Sequence, residues 1–285
     1  MYKLLKKIID LTSRINIFGI REPIVVLNYH SINVASADAK EYEWTVQKNQ
    51  FERQMQYLFD NNINVILLND LVNKILQKKI ISKPTVCITF DDGFSDNFIN
   101  AAPVLEKYNY RASFFIVANS LLDEDSYPEW INQNKVGELP SFMNVDQIKK
   151  LCVNGHEIGS HSLTHKDLSV AKVSLLTKEL IESKKIIEKS LSIDCFGFVM
   201  PFGISENHDK KNIVNNACAK NRYIYSCLGK YGYVDQTRFD AYNIPRIPIY
   251  GSDNINSFIL KVNGKYNFAS IFYQFWKKIR YFLKI

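Results

Sequence analysis

The sequence predicts an α/β fold, a parallel sheet with helices packed outside it. Three observations carry this expectation. Short β-branched or aromatic runs recur along the chain, segments of helical periodicity separate them, and neither a repeat nor a low-complexity linker interrupts the middle. With 285 residues, 46% of them hydrophobic, the chain can bury a core without a metal or disulfide staple.

In order, the strand-like runs are 24–27, 65–68, 85–90, 113–117, 196–200, 223–226 and 244–249. Between the first two, Phe51, Met55, Leu58 and Phe59 share one helical face. Between the fourth and fifth, Leu175, Leu176, Leu180, Ile186 and Ile187 do the same. Residues 155–160 read as a short strand entering a loop, and His208 opens a further helix. Residues 123–142, with Pro128, Trp130 and Pro140, break the rhythm and read as a long loop over one end of the sheet. A closed β/α barrel and an open doubly wound sheet both fit this alternation.

The net charge of +7 resides in the ends: residues 1–22 carry +3, residues 261–285 carry +6, and the middle is left at −2. A mildly acidic core has no basic stripe, so nucleic acid is not an expected partner. No stretch reaches the ~18 apolar residues of a membrane span. The apolar run 15–20 is too short for a secretory signal and no small-residue cleavage site follows it, which predicts a cytoplasmic protein. Cys87, Cys152, Cys195, Cys218 and Cys227 form no C-x-x-C pair and mostly lie in apolar runs, as buried thiols of a reducing compartment do.

Four runs carry chemistry. Thr89-Phe90-Asp91-Asp92-Gly93 ends an apolar strand. Adjacent carboxylates leaving a buried strand repel each other and lose hydration unless a cation or donors meet them, which asks for a metal. Asp-Gly is equally a turn dipeptide, with Asp96 placed to cap a following helix. His161-Ser162-Leu163-Thr164-His165 sets two imidazoles four apart, able to face one ion across a helical turn or a tight loop. Among five histidines such a pair arises in roughly 7% of shuffled sequences, so the spacing alone is weak. Together with Asp92 it makes a three-ligand site with open positions for water and substrate. Val199-Met200-Pro201-Phe202-Gly203 ends another strand, on its plainest reading by a turn. Asn28-Tyr29-His30 ends the first. A lone His beside an apolar strand is usually a core residue, but all four runs fall at the C-terminal edge of the sheet, where α/β folds assemble sites.

In this order, T-F-D-D-G, then H-S-L-T-H about seventy residues on, then a P-F-G turn resemble the polysaccharide deacetylases with a NodB-homology domain, carbohydrate esterase family 4. V-L-N-Y-H-S-I, A-S-F-F-I-V, G-H-E-I-G-S-H and N-I-P-R-I-P-I extend the resemblance over residues 23–255. It implies a distorted (β/α)7 barrel. It also implies that Asp91 is the general base, that Asp92, His161 and His165 bind a divalent metal, zinc being expected, and that the Phe202 N–H helps hold an oxyanion. Many members have an Arg where this chain has Val199, and a late His as general acid, whereas no His follows His208 here. The resemblance is to the branch with a Tyr-His first strand and an Arg-Ile late strand, and in it the two roles pass to His30 and Arg246. The implied function is metal-dependent removal of N-acetyl groups from amino sugars of a glycan or glycan precursor. A glycan-binding module on the same fold, or a hydrolase of a non-sugar amide or O-acetyl ester, are the alternatives, because nothing in the motifs reads a sugar ring.

The ends lie outside the resemblance. In residues 256–285, Phe268, Ile271, Phe272, Phe275, Trp276, Ile279, Phe282 and Leu283 recur at three- and four-residue steps beside Lys277, Lys278, Arg280 and Lys284. In residues 1–22, Leu4, Leu5, Ile8, Ile9 and Leu11 form a shorter stripe beside Lys3, Lys6 and Lys7. Both segments fit as helices capping the barrel; the tail also fits an interfacial helix on an anionic membrane, where a lipid-linked glycan precursor would be the substrate.

Overall fold

The structure is a computed structural model and describes residues 22–33, 43–122, 141–203 and 208–265. Residues 1–21 and 266–285 of the two basic ends, and all of the expected loop 123–142 except Ser141 and Phe142, lie outside the described residues.

Seven parallel strands carry the fold: β1 (Ile24–Tyr29), β5 (Thr85–Phe90), β6 (Ser113–Ile116), β7 (Glu157–Ser160), β8 (Gly197–Val199), β9 (Tyr225–Cys227) and β10 (Ile247–Pro248). They pair in the order β10-β1-β5-β6-β7-β8-β9. The short β2 (Ser31–Asn33) and β3 (Thr45–Gln47) pair with each other, and β4 (Asn64–Val65) joins β5. Ile244 N donates to Ser226 O at 3.0 Å and Ser226 N donates to Ala241 O at 2.9 Å, so the chain entering β10 lies against β9. The sheet therefore curls into a distorted barrel, and of the two architectures the alternation allowed, the open doubly wound sheet is excluded.

Side-chain alternation divides the core in two. Val25, Leu27 and Tyr29 of β1 and Val86, Ile88 and Phe90 of β5 face outward and pack with Phe51, Met55 and Leu58 of helix Lys48–Asp60. The intervening Ile24, Val26 and Cys87 pack with Phe115, Val199, Tyr225 and Cys227 in the barrel interior. By the same alternation Thr89 and Asp91 continue the interior face at the C-terminal end of β5.

Several expected elements end differently. The 65–68 run yields only a two-residue strand, because Leu68 begins helix Leu68–Leu76; Leu68, Leu71 and Val72 are spaced to close the lower end of the barrel interior. Two strand starts anchor that helix: Leu68 N donates to Ser113 Oγ at 3.2 Å and Asn69 N to Glu157 Oε2 at 3.2 Å. Phe59 leaves the apolar face of its helix, 55% exposed, and packs beside Tyr108. In helix Val173–Leu191, Leu176, Leu180 and Ile187 are buried as expected, but Glu179 is buried with them. Helix Ile255–Val262 buries Phe258 and Val262, with Phe258 edge-on to Tyr57, so the packed core runs past residue 255. Helix His208–Lys220 opens where expected. All five cysteines are free thiols, with Cys87, Cys195, Cys218 and Cys227 buried. Among the described residues no helix is long and apolar enough to cross a membrane.

Candidate active site

The four sequence runs meet at one rim of the barrel. Asp91 and Asp92 leave the end of β5 in a turn that Asp92 and Gly93 enter with φ of 73° and 83°, closed by Gly93 N donating to Asp91 O at 3.0 Å. Gly93 has a second constraint, since a Cβ there would lie 2.9 Å from the Ile116 side chain. The turn reading of Asp-Asp-Gly is thus realised, and it leaves both carboxylates at the rim. Asp96 does not cap a helix N-terminus: the helix already includes Ser95, and Asp96 instead accepts from Ser31 Oγ at 2.5 Å.

His161 follows β7 directly, and the His161–His165 segment is a tight loop rather than a helical turn, with φ of 67° at Ser162 and 56° at His165. His165 N donates to Ser162 Oγ at 3.0 Å, and Glu179 fastens the loop by accepting from Leu163 N, Thr164 N and Thr164 Oγ. The signal for Glu179 lay in its sequence: a carboxylate inside a stripe of Leu176, Leu180 and Ile187.

Asp92 Oδ1 lies 3.4 Å from His161 Nε2 and 3.1 Å from His165 Nε2, with all three side chains buried. Among the described residues they form the one cluster of His, Cys, Asp and Glu whose ligand atoms approach within 4.8 Å of one another. His161 Nδ1 sits 2.9 Å from Val199 O. A carbonyl only accepts, so Nδ1 carries a proton and Nε2 is the nitrogen turned toward Asp92. Asp92 Oδ1 is buried and satisfied by no hydrogen bond. A buried anionic oxygen facing two imidazole nitrogens fits a divalent cation of the kind that N and O donors hold. Burial pushes the Asp92 carboxyl up, but His161, His165 and His30 outweigh it and hold it well below the usual carboxylate range.

Asp91 faces away from this cluster and is gripped by Arg246, whose NH1 and NH2 donate to its two oxygens at 2.7 Å each. The Arg246 fork also reaches Thr89 Oγ1 at 3.3 Å. Burial raises the Asp91 carboxyl, and Arg246 first, then His161 and His30, bring it below its usual range. Val199 is buried in the barrel interior, and the guanidinium that the resemblance expects on β8 comes instead from Arg246, immediately before β10. His30 Nε2 lies 4.0 Å from Asp91 Oδ2. Burial pushes the His30 imidazole below its usual value despite Asp92 and Asp91, so the ring is neutral at pH 7. Phe202 stands on the opposite side, 60% exposed at φ 59°, with its ring 5.0 Å from that of His165. Sequence reasoning missed Glu179, Trp44, Tyr250 and the buried pair Lys261–Asp253. The rings of Trp44 and Tyr250 line the His30 side.

With this geometry in place, the family follows from comparison: the polysaccharide deacetylase profile matches residues 78–220, half of the chain, and the chain belongs to that family. Among relatives, the poly-beta-1,6-N-acetyl-D-glucosamine N-deacetylase of Staphylococcus aureus is 25% identical over 249 residues, 83% of this chain and 81% of that protein. YxkH of Bacillus subtilis, named as a polysaccharide deacetylase, is 29% identical over 163 residues; these are 57% of this chain and 50% of YxkH, so the chain spans half the length of that relative. The fold is shared with the Streptococcus pyogenes deacetylase PplD at a TM-score of 0.70, with 19% identity over 86% of this chain and 99% of PplD. IcaB from Ammonifex degensii shares it at 0.67, with 17% identity over 86% and 97% of the two chains.

Proposed function

We propose that the chain hydrolyses N-acetyl groups on the amino sugars of a glycan, with a divalent cation, zinc in the first instance, held by Asp92, His161 and His165. One observation carries this reading: a buried Asp-His-His cluster and an Arg-clamped second carboxylate stand side by side, with a neutral imidazole 4.0 Å from the latter. A cation bound there supplies Lewis-acid polarisation of the amide carbonyl and lowers the pKa of water.

The chain's own residues do the rest. Asp91, kept ionised and oriented by Arg246, accepts a proton from the attacking water. From Asp91 the proton passes to His30, whose Nε2 lies 4.0 Å from Asp91 Oδ2. As the C–N bond breaks, the imidazolium returns the proton to the departing amine, giving a free amino sugar and acetate. The Phe202 N–H donates to the oxyanion as it develops. The Staphylococcus aureus relative makes a β-1,6-linked N-acetylglucosamine polymer the first substrate to try. The basic aromatic tail supports a site at the inner membrane face and a lipid-linked precursor as the natural form of that glycan.

The test is acetate release from acetylated glucosamine oligomers, with and without a chelator. Release that stops on chelation and returns with zinc supports the reading. Oligomer binding without release identifies a glycan-binding module, and release only from O-acetyl esters or non-sugar amides identifies the other hydrolase. Binding to anionic liposomes that weakens with salt and is lost on deleting residues 266–285 tests the membrane location.

A further inference from the structure

The His30 side of the site rests on a stack that the proposed mechanism leaves unused. The Trp44 ring lies 4.4 Å from the His30 ring and 4.7 Å from the Tyr250 ring, centroid to centroid. His30 Nδ1 is buried and makes no hydrogen bond. Asn97 Nδ2 donates to His30 O at 2.6 Å, which fixes the backbone but not the ring. Catalytic imidazoles are ordinarily aimed by a polar partner on the second ring nitrogen. Here packing must do that work, and Trp44 is the ring in contact.

Trp44 is in turn held from behind. Tyr250 N donates to Asp253 Oδ2 at 2.8 Å and Asp253 N donates to Tyr250 O at 2.9 Å, closing a turn after β10. Beneath it Lys261 and Asp253 form an ion pair, 3% and 1% exposed. Lys261 Nζ also donates to Pro248 O at 2.8 Å and lies 5.3 Å from the Tyr250 ring centroid. The turn presses on the Trp44 segment: Gly251 N donates to Glu43 O at 2.9 Å, and a Cβ on Gly251 would come within 2.2 Å of Thr45 O. An apolar pair of similar volume would pack helix Ile255–Val262 without the desolvation of two charges. What the ammonium adds is direction, because it ties the carboxylate, the Pro248 carbonyl and the Tyr250 ring face to one point.

We propose that Trp44 is a positioning residue for His30, and that the buried Lys261–Asp253 pair sets Trp44 through Tyr250. The inference rests on the proposed role of His30 in amide hydrolysis. All of these residues lie outside residues 78–220, so the acid side of the site is built by the flanks of the family-matched segment.

Trp44→Ala, Trp44→Phe and Lys261→Met test it by two readouts. One is kcat and KM on an acetylated glucosamine oligomer. The other is the imidazole resonance of His30 in histidine-labelled protein, assigned by its loss in His30→Gln. Trp44→Ala and Lys261→Met should lower kcat by about 10- to 100-fold, the scale of a misplaced catalytic group. KM should stay within about twofold and metal content should not change. Trp44→Phe, which keeps an aromatic face, should recover most of kcat. In Lys261→Met, which does not touch His30, the His30 resonance should move while those of His161 and His165 stay. If Lys261→Met does not fold, the double variant Asp253→Asn with Lys261→Met, which leaves no charge unpaired, replaces it. An unmoved His30 resonance with full kcat in the Lys261 variant overturns the link to the ion pair. Equal loss of kcat in Trp44→Phe and Trp44→Ala overturns positioning by ring packing. The resonance is read whether or not the wild-type protein releases acetate, so failure of the hydrolase reading shows separately, as an inactive wild type.

Discussion

Asp91 and Asp92 are chain neighbours with opposite surroundings, one facing a guanidinium and the other two imidazoles. Asp92→Asn should therefore lose bound metal, whereas Asp91→Asn should keep it and lose turnover by about 10²-fold or more, the scale of a missing base. Elemental analysis beside acetate release checks both; equal metal loss in the two variants would reverse the assignment. Arg246 offers a second test, because its fork contacts both Asp91 oxygens and an ammonium cannot. Arg246→Lys should fold yet lower kcat by about tenfold or more through a loosened Asp91. Arg246→Met should leave a buried carboxylate unpaired and destabilise the protein by about 3–5 kcal/mol in urea unfolding. The two aspartates and His161 were legible in the sequence because they follow on a strand end, and His165 because it stands four residues beyond His161. The route by which Arg246 reaches Asp91 was not, since 155 residues separate them and no local pattern expresses that contact.

At the scale of elements, the loop that carries His161 and His165 is held by a helix that contributes neither of them. Glu179 of helix Val173–Leu191 accepts three hydrogen bonds from Leu163 and Thr164, between the two histidines. Glu179→Gln turns an amide donor toward those donors and leaves at least one of them unsatisfied. It should destabilise the fold by about 1–3 kcal/mol and weaken metal binding by about 10-fold or more, as other residues that support ligands do. Urea unfolding and a chelator competition titration measure the two effects, and unaltered metal affinity would show that the loop keeps its shape without Glu179. Helical periodicity revealed this helix and its buried face but not the partner of its one buried carboxylate. Periodicity held only at the start of residues 65–68, where Val65 pairs with β5 but the run also holds Leu68, the first of three residues spaced for a helix.

At the scale of the whole molecule, the alternation of strands and helices fixed the class, while closure depended on bonds between Ser226, Ala241 and Ile244 that alternation does not encode. Two buried titratable groups stand outside the Asp92, His161 and His165 cluster, and their effects on acid stability oppose each other. His156 precedes β7, accepts from Ala112 N through Nδ1, and packs edge-on against Phe114. Burial, with Arg111 nearby, pushes it down from 6.5 to about 4. The unfolded chain then binds the proton first, so His156 favours the fold above pH 6.5 and that stability is lost as pH falls toward 4. Asp96, bonded to Ser31, is pushed up by burial from 3.8 to about 6. Here the folded state binds the proton first, so stability is gained as pH falls through 6 and is fully present below 3.8. Each shift is equivalent to about 3 kcal/mol, and between pH 6 and 4 the two largely cancel. Single variants should unmask them. Relative to wild type, His156→Gln should grow more stable as pH falls from 6.5 to 4, and Asp96→Asn less stable, each by up to about 3 kcal/mol. Taking differences from wild type in urea unfolding at each pH removes the contribution of the active-site histidines, and two parallel stability curves would show that neither group titrates as its burial requires.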